Sequence, residues 1–195
     1  MICMEIMNGK KMQSTEIKAN GFLKWFLHTS LFRRIEIQQL MNLTARALRQ
    51  KPKHTWTLPN EEALRLYAAF TRDQLTACPD EELLQRMTAE AYKMGRLLRR
   101  VFFLSQQADI QQFAIAIYQG VGITLEGHLP GTLRFRRCFF SQYYTPEVCL
   151  AASALDEGIM SGLAGGGRLH FQQRITEGCT CCKATFLFND NDHQP

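Results

Sequence analysis

Nowhere in the 195 residues is there an apolar run long enough to cross a bilayer. The first twenty residues, MICMEIMNGKKMQSTEIKAN, also lack the apolar core and small-residue cleavage site of a secretory signal. A cytoplasmic protein is expected. Thiols stay reduced in that compartment, and the seven cysteines are odd in number and unevenly spread, so no disulfide framework is expected. Internal repeats, low-complexity tracts and zinc-finger, RNP or helix-turn-helix signatures are missing too. With a net charge of only +5, nucleic acid is not an expected partner. The GLAGGG run follows a helical pattern and lacks the G-K-[ST] ending of a phosphate loop, and no Ser-His-Asp triad is visible from spacing.

What is present is an ordinary globular composition, 46% hydrophobic and 21% charged, which excludes wholesale disorder. A chain of this length buries a core without a metal or disulfides. Helical periodicity dominates the first two thirds. In GFLKWFLHTSLFRR, residues Phe22, Leu23, Phe26 and Leu27 share one stripe, so 21–34 reads as a helix docked on the body or as a membrane-surface or protein-contact helix. A second helix covers Ile35–Arg49, followed by the polar connector RQKPKHTWTLPN. Asn60 is expected to cap a third, with Glu61 and Glu62 in its first turn. Cys78-Pro79 breaks it and Asp80 starts another. Asp109 and Gln112 suggest a capping box, and Gly120 a stop.

After Gly120 the period changes to that of strands. VGITLEGHLPG and TLRFRRCFF read as two strands, the second with Leu133, Phe135, Arg137 and Phe139 on one face and Arg134, Arg136 and Cys138 on the other. Thr145-Pro146 opens a helix that runs to the glycine stop at 165–167. RLHFQQRIT and CTCCKATFLF are two further strands, joined by Glu177-Gly178 as a two-residue turn. Pairing Thr176 with Cys179 sets Phe171 opposite Ala184 and Leu169 opposite Phe186, which gathers the apolar residues on one face. The fold class is therefore α+β, a helical N-terminal part followed by a β-β-α-β-β module with an antiparallel sheet. The expected organisation is a helical appendage and connector over 1–58, then one α+β domain over 59–195. That domain holds helices over 60–119, the sheet module over 120–188 and a short polar tail over 189–195.

The residues able to do chemistry crowd into the sheet module. Cys179-x-x-Cys182 has the local spacing of a zinc or iron–sulfur knuckle, and Cys138 and Cys149 can supply the remaining thiolates. Cysteines three apart on a regular strand point to opposite faces, so the knuckle needs a bulge or turn there. The reactive-thiol reading sets Cys181 across from Arg174, and Cys138 beside Arg134 and Arg136, where a guanidinium favours the thiolate. In the packing reading, Cys182 belongs to the core, while Cys3 and Cys78 have no supporting context. Cys149, Ser153, Asp156 and Met160 form a stripe along the helix, and Gly158 and Gly162 allow close approach of a strand. His170 lies on the polar sheet face, and Glu177 at the turn can act as an acid–base group.

The block CFFSQYYTPEVCLAASALDEGIMSGLAGGGRLHFQQRITEGCTCCKATF, residues 138–186, resembles the C-terminal half of the L-2-amino-thiazoline-4-carboxylic acid hydrolase family. The similar elements are an aromatic segment entering a helix, an acidic residue within it, a strand with basic residues and a terminal Glu-Gly hairpin followed by cysteine. The extra Cys179 and Cys181 and the LDEG and GGG segments depart from the pattern. The resemblance implies hydrolysis of a C–N bond in a cyclic amidine on a small carboxylated substrate. For that chemistry Cys149 or Cys181 is a candidate nucleophile and Asp156 or Glu177 a candidate proton acceptor. Arg136, His170 and Arg174 are candidate substrate contacts. The alternative is a noncatalytic module, a sensor or accessory factor, that binds a small molecule or a metal.

Overall fold

The computed structural model describes residues 29–76 and 79–188. Gly21–His28, Cys3, Cys78 and the tail over 189–195 lie outside the described residues. Five helices precede or interrupt four strands: α1 (Ser30–Ala47), α2 (Asn60–Leu75), α3 (Glu81–Val101), α4 (Gln107–Gly120), β1 (Ile123–Gly127), β2 (Gly131–Cys138), α5 (Pro146–Ala164), β3 (Arg168–Gln173) and β4 (Cys182–Leu187). The strands form one antiparallel sheet in the order β1-β2-β4-β3. The expected α+β architecture and strand order along the chain are present, with α5 as the crossover between the two strand pairs.

Local chemistry explains most helix ends. Asp80 accepts a hydrogen bond from the Leu83 N–H at 2.7 Å, and Thr145 caps α5 through the Val148 N–H, with Pro146 in the first turn. Two caps differ from expectation. Asn60 lies inside α2 with no side-chain bond to the helix start, because Pro59 already sets the extended backbone there. Asp109 lies inside α4, whose start at Gln107 precedes the expected capping box. The helix expected from Ile35 begins earlier, so Leu31–Arg34 belong to α1. Its Ile37, Met41 and Leu43 are fully buried and join Phe113, Met160 and Phe186 in one continuous core.

The tightest packing is between α3 and α5. Gly158 and Gly162 lie against the backbone of α3 at Thr88, Tyr92 and Arg96, and Gly95 returns the contact on Ile159 and Gly162. A methyl at any of the three would overlap main-chain atoms, so the close approach expected for a strand is made by a helix. This fixes the faces of α5: Leu155 and Ile159 enter the core beside it.

The sheet register agrees with expectation at its centre, with Leu169 opposite Phe186 and Phe171 opposite Ala184. Two irregularities redirect the strand ends. In β2 the pairing advances from Phe135 to Arg137 while β1 advances by one residue, and in β3 it advances from Phe171 to Gln173 against one step of β4. Each extra residue inverts the side-chain alternation beyond it.

Candidate functional site

The first inversion carries Cys138 inward. It pairs with buried Ile123 rather than sharing the outer face with Arg134 and Arg136, both of which are exposed. The second carries Arg174 inward, where its Nε lies 3.4 Å from Ser153 Oγ on α5 and its guanidinium stands 5.2 Å from the Phe171 ring centre. The expected two-residue hairpin is also replaced. Residues Ile175–Glu177 form a 3-10 turn, Gly178 takes a left-handed conformation, and β4 begins only at Cys182. Thr176 and Cys179 are therefore not a strand pair, and Cys181 does not face Arg174. The Cys181 backbone and sulfur instead accept from the Gln173 side chain at 3.1 and 3.7 Å.

Inside this frame lies a cavity of about 180 Å³, enclosed by α1, α3, α4, α5 and the end of β2. Its walls are mostly aliphatic and aromatic, with polar groups from Asp156, Glu36, Gln39, Tyr67, Tyr118, Tyr144, Cys138 and Cys149. Among the described residues, no lysine, arginine or histidine lines it. An apolar hollow with a few convergent polar groups is the usual form of a small-molecule site.

Asp156 projects from α5 and accepts a hydrogen bond at 3.0 Å from the Tyr118 hydroxyl on α4. Tyr118 is held by an edge contact with Phe135, centroids 5.3 Å apart. Burial pushes the Asp156 carboxyl up to about 6, against the lowering effects of the Tyr118 hydrogen bond and the Arg174 charge. Glu36, on α1, is nine-tenths buried and lines the same cavity. Its Oε2 has no hydrogen-bond partner among the described residues, and burial raises its carboxyl well above the ordinary range despite the Arg33 charge. The absence of a side chain at Gly120 makes room for this carboxyl, since a Cβ there would overlap Oε2.

The thiols at and near the cavity are neutral at physiological pH. Burial pushes Cys138 up to about 12 and Cys182 up to about 11, and raises Cys149 above its ordinary value. Hydrogen bonds from Phe140 and Ser141 oppose the shift at Cys138, and the Ile175 N–H, 3.3 Å from the Cys182 sulfur, opposes it there. Cys149, the expected nucleophile, thus reaches the cavity as a thiol rather than a thiolate. Cys182 is a core residue, as the apolar register requires.

The other expected site residues lie elsewhere. Arg136 pairs with Glu126 across β1 and β2 at 2.8 Å, and His170 is exposed on the outer face of the sheet. Glu177 and Arg174 bind one another, with the Glu177 carboxylate also taking the Arg174 backbone N–H at 3.0 Å, so both serve to hold the β3–β4 connection. Among the described residues, no three cysteine, histidine or acidic groups converge in an arrangement able to hold a metal ion, and Cys138, Cys149, Cys179 and Cys182 do not form the expected knuckle. Cys179 follows the turn at Gly178, whereas Cys182 opens β4.

Sequence reasoning passes over Glu36 and Tyr118. A signal existed for Glu36, an acid at the helical spacing that also buries Phe32 and Leu40. Tyr118 continues the buried stripe of Ile110 and Ala114, where a hydroxyl needs a partner. The chain matches no model of a known protein family, and no curated protein matches it in sequence. Among the described residues, no helix is long and apolar enough to cross a membrane.

Proposed function

We propose that the protein binds a small ligand with an apolar body and a basic nitrogen head, an amine or amidine, in the cavity beside α5. The observation that carries this reading is that two carboxyl groups, Asp156 and Glu36, line one largely apolar cavity on whose wall no described residue is a cation. The Arg174 and Arg33 charges only partly offset the burial of these carboxyls, and a cationic nitrogen in the cavity would supply the rest. The Tyr118 hydroxyl fixes the Asp156 carboxylate, leaving its other oxygen for the ligand. Calorimetric titration of the full chain with benzamidine and with benzoate at pH 7 tests the idea. Benzamidine is expected to bind at least about tenfold more tightly, Asp156→Asn to lose that preference, and binding to weaken about tenfold between pH 7 and pH 5 as the carboxylate is protonated. Equal binding of the two probes would sink the reading.

A second reading adds chemistry to the same site, and the position of the Asp156 carboxyl favours it. A carboxyl near 6 is largely ionised at neutral pH yet basic enough to take a proton from water. Water oxygen would add to the C=N carbon of a cyclic amidine while Asp156 accepts the water proton. Collapse of the adduct would then break the ring C–N bond as its hydroxyl becomes the carbonyl, and the departing nitrogen would take both the proton held by Asp156 and the hydroxyl proton. With the cavity thiols neutral, water rather than Cys149 is the attacking group. This is the hydrolysis that the C-terminal resemblance implies, although a substrate carboxylate finds no cation on the described cavity wall. Turnover of 2-aminothiazoline-4-carboxylate is expected to vanish in Asp156→Asn and survive in Cys149→Ser. Its absence from the wild-type protein would remove the catalytic reading and leave the binding one standing.

A further inference from the structure

A second concavity, about 1020 Å³, opens where the C-terminal end of α3 meets the start of α4 and the turn after α5. Arg96, Arg99 and Arg100 line it, together with Tyr92, Phe103 and Phe188. None of the three arginines forms an ion pair among the described residues, and no carboxylate lines the groove. The N-terminal part of the same helix behaves differently: Arg86 pairs with Glu82, and Lys93 with Glu90 at 2.6 Å. Charge complementarity to the helix dipole accounts for Arg99 and Arg100 in the last turn but not for Arg96, which lies before it. Clustering three guanidinium groups in one hollow with no described acid beside them raises their mutual repulsion, which an anion relieves.

Phe103 supplies an independent observation. It follows α3 with φ 52°, in the left-handed conformation that glycine adopts most easily at a helix end. The Leu104 N–H returns to the Arg99 carbonyl at 2.9 Å, completing the helix stop. Here the position holds a phenylalanine whose surface is 88% exposed. The backbone is strained and the ring finds little protein to pack on, so neither local conformation nor core packing explains the residue. A ring at the rim of an arginine groove offers a stacking platform beside an anion site.

We infer that this groove binds an organic phosphate of the nucleotide class, with the phosphates among Arg96, Arg99 and Arg100 and the base against Phe103. Guanidinium forks match phosphate oxygens in pairs, and Arg96 is steadied by its position 5.9 Å from the Tyr92 ring centre. Ser105 and Gln107 add polar groups at the edge, where α4 starts without a side-chain cap.

The test is calorimetric titration of the full chain with ATP, pyrophosphate, adenosine and a single-stranded oligonucleotide. ATP is expected to bind more tightly than pyrophosphate, and adenosine alone only weakly. Arg96→Glu and Arg100→Glu, both at exposed positions, should each weaken ATP at least about tenfold. Phe103→Ala should weaken ATP several-fold while leaving pyrophosphate unchanged. Asp156→Asn should leave ATP binding intact, which separates this site from the cavity. Failure of ATP and pyrophosphate to bind at millimolar concentration, or ATP binding indifferent to both charge reversals, overturns the inference. Oligonucleotide binding tighter than that of ATP replaces the small-molecule ligand with a nucleic-acid strand and overturns it equally.

Discussion

The cavity and the groove share helix α3 as a wall but have opposite electrical character. Met94, Leu97 and Leu98 face the cavity, where the only charged groups among the described lining residues are acids, whereas Arg96, Arg99 and Arg100 face the groove, where the described lining contains no acid. One helix thus separates a largely apolar hollow that holds two carboxyl groups from a wider basic one. The lesson is that a net charge of +5 describes neither surface. Burial raises the carboxyls of the first, while in the second exposure to water keeps the guanidinium cluster tolerable.

Breaking the shared wall should abolish the distinction altogether. Gly158→Val inserts a branched side chain where α3 and α5 already touch backbone to backbone, and a loss of about 3–5 kcal/mol is expected in chemical denaturation, with both binding activities lost together. Retention of wild-type stability would show that the two helices are not locked at this point.

A pH experiment isolates the acidic side. Asp156 holds its proton up to about pH 6 when folded, whereas an unfolded aspartate releases it near pH 4. The folded state therefore binds the extra proton between those values, and stability should fall as pH rises through that window, by up to about 3 kcal/mol, then level off. Glu36, also raised, contributes with the same sign. In Asp156→Asn the slope between pH 4 and 6 should shrink to what Glu36 and ordinary carboxylates leave. An unchanged slope would show that Asp156 titrates like an exposed residue.

Finer changes sharpen the contrast. Tyr118→Phe removes the donor that steadies the Asp156 carboxylate, so stability at pH 7 should fall by about 1 kcal/mol and the pH midpoint for benzamidine binding should move upward. A midpoint that moves down would mean that the hydroxyl acts otherwise than as a donor. On the basic side, Phe103→Gly should raise stability by a few tenths of a kcal/mol, because glycine takes the left-handed conformation freely and the lost ring was exposed. The same variant should bind ATP more weakly, a gain and a loss from one substitution.

Much of the fold was legible in the sequence because its signals were local or self-checking. Thr145-Pro146 marked the start of α5, and the apolar residues Leu169, Phe171, Ala184 and Phe186 share one face in the expected register, which the sheet keeps at its centre. The site was legible in part. Asp156, Cys149 and Cys138 all reach the cavity, but Cys138 arrives there for a reason that strand alternation cannot express. A bulge is a decision of the paired backbone, made between separate strands, and RFRRC carries no glycine to announce it. Arg174 was misplaced for the same reason. The cavity itself required knowing that α1 packs across from α5, a tertiary relation on which helical periodicity is silent.

The extra residue in β3 gives the sheet a switchable parity. Every side chain after Phe171 stands on the face it occupies only because one position, Gln172, is surplus to the pairing with β4. A slip that paired Gln172 itself with Lys183 would erase the bulge and exchange the two sides of that strand end: the guanidinium of Arg174 would leave Ser153 and Phe171 for water, and the neutral amide of Gln173 would take its place against α5. The address of a functional group in this sheet is therefore its pairing relative to the bulge, and a one-residue slip there is a redistribution of charge without a change of length.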